Sequence, residues 1–243
     1  ASTEVTLVKN RQIMKAASLP IGALTLTGTY QKGDEYTPKE LEKMTKAVKK
    51  TIKEHSWLHN VKLPLLGIGG TARNIAKIDQ RKLSYPITKL HNYELPYHRF
   101  HEILEDVKGK SLEERKKISG LSSERADIII AGLTIVDELF NYVNTKTLVV
   151  GGCGLREGLF YDYYGNHYLG GQNIIDDILV HSAENVLLGM TKHELVHAKY
   201  ITKLATTLYD ALEPLHKADK NFRRCLIAAG LLHDIGKRVN YYS

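Results

Sequence analysis

The sequence predicts an α/β layered domain followed by an all-helical segment, and three observations carry that prediction. Two apolar runs, Leu63-Pro-Leu-Leu-Gly-Ile68 and Thr147-Leu-Val-Val-Gly151, each end in a glycine turn and lead into a helical stretch, the alternation of an α/β fold. Between them Ile128, Ile129, Ile130, Leu133, Ile135, Val136, Leu139 and Phe140 form an almost unbroken apolar band, the mark of a helix buried between layers. From about Ile174 onward strand signals stop, which places a boundary near Gly170-Gly171 and divides the chain into 1–173 and 174–243.

Each element has a local reason. Residues 4–20 read as two short strands around a polar Asn10-Arg11 turn, a hairpin. Thr37 as N-cap and Pro38 in the first turn open a helix running to about His55. On it Lys39, Lys43, Lys46, Lys50 and Lys53 step by four and three, while Leu41, Met44, Val48 and Ile52 take the opposite side. Gly69-Gly70-Thr71 leads into a helix at 72–77; further helices are predicted at 94–107, 111–117 and 125–143. Another begins at Leu155-Arg156-Glu157-Gly158, and the last segment carries helices at 174–188, 193–212 and 221–233.

With 243 residues, 43% hydrophobic and 25% charged, the chain has ample material for a core. No apolar run approaches the roughly 18 residues that cross a bilayer, so a soluble protein is expected. Two cysteines, Cys153 and Cys225, cannot make a disulfide framework, which points to a reducing compartment and a cytoplasmic location. The net charge of +7 is uneven: 39–89 holds twelve basic against four acidic side chains, whereas 174–243 holds nine against eight. A locally basic surface favours polyanions, and the lysine stripe is either an ordinary solvated face or an electrostatic rail for a long anion. No interleaving of aromatic and basic residues supports nucleic acid, and no membrane partner is expected.

Strand, glycine turn and helix together present free backbone N–H groups to a phosphate, though the same glycines also serve a tight turn. Four signatures occur in order: Ser2-Thr3-Glu4 opening the hairpin, Gly67-Ile-Gly-Gly-Thr71, Ser122-Ser-Glu-Arg125-Ala-Asp-Ile-Ile-Ile-Ala-Gly132, and Gly151-Gly-Cys-Gly-Leu-Arg-Glu-Gly-Leu-Phe-Tyr161. Together they resemble the exopolyphosphatase and guanosine pentaphosphate phosphohydrolase family, of the actin-like ATPase superfamily, over residues 1 to about 165. The resemblance implies an actin-like (ribonuclease H-like) domain with a mixed sheet and flanking helices, and a cleft that holds phosphate chains. Family members open their second domain with Asp-x-Gly-Gly-x-Ser-Thr-Glu, of which Ala1-Ser2-Thr3-Glu4 matches the end. Carried over by position, Ser2 and Thr3 contact phosphate and Glu4 helps hold Mg²⁺ (or Mn²⁺). Gly69, Gly70 and Thr71 fall in the cleft and Arg73 adds a charge-assisted contact; Arg156 either contacts phosphate or fixes its turn through Glu157. Arg125-Ala-Asp127 reads as an anchor for the buried helix. The family's first domain, with its general-base carboxylate, has no counterpart here, so the chain is expected to be a fragment inactive alone, with no catalytic residue of its own.

His193-Glu-Leu-Val-His197 matches the zinc-peptidase spacing, but Tyr200 and Lys203 stand where further peptidase signatures would fall, and that reading is set aside. His197 with Leu231-Leu-His-Asp-Ile-Gly-Lys237 instead resembles the HD phosphohydrolase superfamily, which implies an HD-like helical segment. His197, His233 and Asp234 would there bind a second divalent metal or persist as a structural relic. The activity implied is release of terminal orthophosphate from inorganic polyphosphate. The alternatives are removal of the 5′-phosphate of guanosine pentaphosphate, and a non-catalytic polyphosphate or nucleotide binding protein; a homodimer is left open.

Overall fold

A computed structural model of the chain describes residues 2–171, 175, 177–189 and 192–238. Two compact units divide it, one ending at Leu159 and the other beginning at Phe160.

The first unit opens with an antiparallel hairpin of β1 (Thr3–Lys9) and β2 (Gln12–Leu19). Asn10 and Arg11 both take positive φ, 50° and 63°, the backbone twist that a two-residue hairpin turn needs. Lys9 pairs with Gln12 beside the turn, and a bulge follows between Leu7 and Val8. Helix α1 (Ala23–Tyr30) comes next, then α2 (Pro38–Lys53). Thr37 and Glu40 close a capping box at the start of α2: the Thr37 hydroxyl accepts the Glu40 N–H, and the Glu40 carboxylate accepts the Thr37 N–H at 2.8 Å. That bond holds the Glu40 carboxyl below the usual carboxylate range. Such a cap contributes about 1 kcal/mol.

A second sheet has the order β3-β5-β4. Strand β3 (Leu65–Gly67) runs parallel to β5 (Thr147–Val150), and β4 (Tyr93–Pro96) pairs antiparallel on the other side of β5. The sequence predicts a helix over 94–107; instead Tyr93–Pro96 is an edge strand, with Tyr93 and Leu95 buried and Glu94 exposed. The helix begins only at Tyr97, because Pro96 holds extended backbone just before it. Between the strands lie α3 (Gly70–Lys82), α4 (Tyr97–Lys108), the short α5 (Leu112–Lys116) and α6 (Ile129–Val143).

Helix α6 is the centre of the core. Ile129, Ile130, Leu133, Ile135, Leu139 and Phe140 are all buried, and α1, α2, α3 and α4 pack around it. Each such side chain contributes about 1.5–3 kcal/mol when fully withdrawn from water. Met44, Val48 and Ile52 of α2 join this core, while Lys39, Lys43, Lys46, Lys50 and Lys53 are exposed. Helix α6 starts four residues later than the sequence predicts; residues 123–125 form a short 3₁₀ turn instead. Glu138 is buried within the same helix, and burial pushes its carboxyl above the usual range despite the nearby Lys49.

Helix α7 (Leu155–Tyr168) begins in the first unit and ends in the second. The second unit adds α8 (Ile178–Leu187), α9 (Lys192–Ala211), α10 (Glu213–His216) and α11 (Lys220–Leu232). Ala183, Leu187, Ala198, Ala228 and Leu231 form its core. Ile174 and the His193 side chain lie outside the described residues. Among the described residues no helix is long and apolar enough to cross a membrane, and Cys153 and Cys225 are both free thiols.

Candidate functional site

The two glycine turns meet. They follow the carboxyl ends of the parallel neighbours β3 and β5, the place where open α/β sheets leave a crevice. The Gly151 N–H donates to the Gly67 carbonyl at 2.9 Å, which ties one turn to the other.

At the first turn, Gly69 has φ 115° and ψ −174°, a conformation that side chains other than glycine's disfavour. It is the N-cap of α3, yet it supplies no side-chain cap, and no acidic residue stands in the first turn. The positive end of a thirteen-residue helix therefore opens without an internal anion. The arginine Arg125 comes against it: a Cβ built on Gly70 would meet the Arg125 guanidinium at 2.5–2.8 Å. Thr71 packs on α6, where a Cβ on Gly132 would meet its side chain at 2.8 Å. The motif at 122–132 thus grips the 67–71 turn from both sides, through Arg125 and Gly132. Of the Arg125-Ala-Asp127 segment that reads in sequence as a helix anchor, Asp127 supplies a local contact, its carboxylate accepting the Ile128 N–H at 2.8 Å, while Arg125 lies against Gly70.

Arg73 bridges the two turns. Its backbone belongs to the first turn of α3, and its Nη1 lies 3.9 Å from where a Cβ on Gly154 would stand. The second turn is differently filled. Gly152 donates its N–H to His91 Nδ1 at 3.2 Å, and Gly154 donates to Glu157 Oε2 at 2.7 Å. The Gly154 N–H and Glu157's own backbone N–H, together with the charges of Arg156 and Arg73, hold the Glu157 carboxyl below the usual carboxylate range. Among the described residues no ion pair joins Glu157 to Arg156, so the carboxylate fixes the turn through the backbone; Arg156 itself is exposed. His91 gave no signal in sequence; only the folded sheet brings it to Gly152.

Ser2, Glu4 and Ser18 form a cluster in the hairpin, and the Thr3 side chain bonds elsewhere. The hydroxyls of Ser2 and Ser18 donate to Glu4 Oε1 at 2.9 and 2.7 Å, and the Thr3 hydroxyl donates to the Ile21 carbonyl at 2.6 Å. Glu4 is an exposed carboxylate with two hydroxyls on one oxygen, a donor chemistry that suits a hard cation.

The helical unit brings His197, His233 and Asp234 together, with one ligand atom from each lying within 4.8 Å of the others. The two Nε2 atoms are 3.3 Å apart, and Asp234 Oδ2 is 3.7 Å from one and 3.6 Å from the other. His233 Nδ1 lies 2.7 Å from the Gly230 carbonyl. With Nδ1 carrying the proton and donating it to that carbonyl, the ring is held in place and Nε2 is left as an acceptor or metal ligand.

The Ppx/GppA phosphatase family matches residues 1–167. The chain belongs to the Ppx/GppA phosphatase family. Among curated Ppx/GppA relatives, a guanosine-5′-triphosphate,3′-diphosphate pyrophosphatase of Aeromonas salmonicida (strain A449) is 26% identical over 143 residues, 57% of this chain and 27% of that protein. A Ppx/GppA family member from Aquifex aeolicus has a solved structure 29% identical, with a TM-score of 0.59 over 65% of this chain and 51% of its own. An exopolyphosphatase from Cytophaga hutchinsonii, 20% identical, shares the fold with a TM-score of 0.63 over 68% of this chain and 54% of its own. The chain therefore spans about half the length of the solved relatives and 27% of the curated one. The match covers the mixed α/β unit with its small sheets; a helical segment follows it.

Proposed function

We propose that the α/β unit is one wall of an actin-like, ribonuclease H-like cleft that holds a phosphate chain for hydrolysis of its terminal phosphoanhydride. The observation that carries this reading is the uncapped N-terminus of α3, with Arg125 against Gly70 and the Arg73 guanidinium near Gly154, at the ends of two parallel strands. Backbone N–H groups at Gly70 and Thr71 and two guanidiniums supply what three phosphate oxygens require, and they need no reorganisation to do so.

In this reading Arg73 and Arg125 orient the chain and carry the charge that builds on the transferred phosphoryl group. Glu4, with the Ser2 and Ser18 hydroxyls beside it, would hold Mg²⁺ or Mn²⁺, which when bound neutralises phosphate oxygens, while Ser2 and Thr3 contact the phosphate chain. Orthophosphate released from inorganic polyphosphate is the leading activity. Guanosine pentaphosphate is the second substrate, favoured by the name of the Aeromonas relatives. Phosphate release from the two, compared in one assay, separates them; a binder without turnover would release none from either. A general base is not assigned among these residues.

The helical unit we read as HD-like, with His197, His233 and Asp234 as ligands for a second divalent cation. Mn²⁺ broadening of the His197 and His233 ring resonances, lost in H233A, supports that; unaltered rings overturn it. A cytoplasmic setting accords with two free cysteines.

Calorimetric titration with sodium tripolyphosphate tests the main reading. Binding that R73M weakens supports it, and binding indifferent to R73M overturns it.

A further inference from the structure

We propose that Glu157 is a built-in counter-anion that sets how tightly the crevice takes a phosphate chain as against a single phosphate. The proposal rests on the crevice reading above and names a specificity-determining residue within it. The two glycine turns are unequal. The 67–71 turn has no side-chain cap and no acidic residue in the first turn of its helix. The 151–154 turn is closed by its own carboxylate, Glu157 Oε2 accepting the Gly154 N–H at 2.7 Å. A Cβ on Gly154 would stand 3.3 Å from that oxygen and 3.9 Å from Arg73 Nη1, so the carboxylate and the bridging guanidinium border the same point.

Among the described residues no hydrogen bond or ion pair joins Glu157 to Arg73 or Arg156. Glu157 therefore orients neither guanidinium; what it adds beyond the cap is a negative charge beside both. Arg73 and Arg156 in turn help hold that carboxyl in its charged form. A single phosphate needs only the open turn. A longer chain that extends along Arg73 toward the second turn meets this carboxylate and must displace or tolerate it. The like-charge repulsion grows with each phosphoryl charge brought near, so the residue discriminates by chain length.

The test uses the 243-residue chain with E157Q, E157A, R73M and the E157Q/R73M pair, titrated calorimetrically with orthophosphate and with tripolyphosphate, and with thermal unfolding of each. E157Q keeps an oxygen for the Gly154 N–H and removes only the charge; E157A removes both. The expected result is tripolyphosphate binding about tenfold tighter in E157Q, with orthophosphate within about twofold of wild type. That gain shrinks in the R73M background, where the chain no longer follows Arg73 toward the second turn and the carboxylate there. Unchanged or weaker tripolyphosphate binding in both E157Q and E157A overturns the proposal and leaves Glu157 as a cap alone. If R73M weakens tripolyphosphate binding while E157Q does not strengthen it, this inference falls and the crevice stands. If R73M has no effect on tripolyphosphate, both fall together.

Discussion

Replacing Gly70 by alanine separates the crevice from the fold that carries it. A Cβ at Gly70 would lie 2.5 Å from Arg125 Cζ and 2.8 Å from its Nε and Nη1. Relaxed contacts between such atoms lie near 3.5–4.0 Å, so the guanidinium must retreat by about 1 Å. The obstacle is the far end of a flexible side chain, and Gly70 opens α3 with ordinary helical backbone. Retreat is therefore cheap, and alanine in a helix recovers roughly 0.5–1 kcal/mol relative to glycine. Stability should stay within about 1 kcal/mol of wild type. The contact from Arg125 to a bound phosphate does not survive the shift, and a hydrogen bond to a charged group contributes about 1.5–3 kcal/mol, so the affinity for tripolyphosphate should fall roughly tenfold or more. Calorimetric titration read beside thermal unfolding checks both halves, and R125M should reproduce the affinity loss. A stable G70A protein that binds tripolyphosphate as wild type does would refute the placement of the anion between Arg125 and the α3 N-terminus.

The other predictions concern the surface, the backbone and the helical unit. Charge reversal at Lys43 and Lys50 should weaken long polyphosphate more than tripolyphosphate and flatten the salt dependence; equal loss for both lengths would remove the lysine stripe from binding. Gly120 has φ 94°, and a Cβ there would stand 2.6 Å from the backbone of Lys77, so G120A should destabilise by about 2–4 kcal/mol in urea unfolding, whereas G109A should be near neutral. Arg224 grips Asp177 with two hydrogen bonds of 2.7 and 2.9 Å and, with the Val180 N–H, holds its carboxyl down to about 2. Because the folded value lies below the unfolded one, near 3.9, the pair's stabilisation is present above that value and lost as pH falls through about 2. D177N should therefore flatten the acid limb of the helical unit's unfolding between about pH 4 and 2, and an unaltered limb would contradict the linkage.

How far the sequence reaches depends on whether a signal is local. The hairpin is legible because Asn10-Arg11 is itself the turn, and α2 because Thr37 and Pro38 stand together at its start. Strand β4 is not: four residues give only two alternations, and the apolar periodicity of α4 continues from them without a break. Helix α1 escaped notice because Gly22 gives it no side-chain cap and its first turn carries no acidic residue. At the site, the glycines announce the turns, but a glycine turn does not say whether its N–H groups are free. That depends on Glu157, three residues downstream of Gly154, and on His91, sixty-one residues before Gly152. Arg125 was visible within its motif, yet its position over Gly70 follows from α6 packing under α3, a tertiary fact.

An amide chemical-shift titration of the chain with tripolyphosphate locates the bound anion. The largest, saturable shifts are expected at the Gly69, Gly70 and Thr71 amides, joined by the Arg73 and Arg125 side-chain N–H groups. Saturating shifts elsewhere, for example along the lysines of α2, with those three amides unmoved, would contradict this placement.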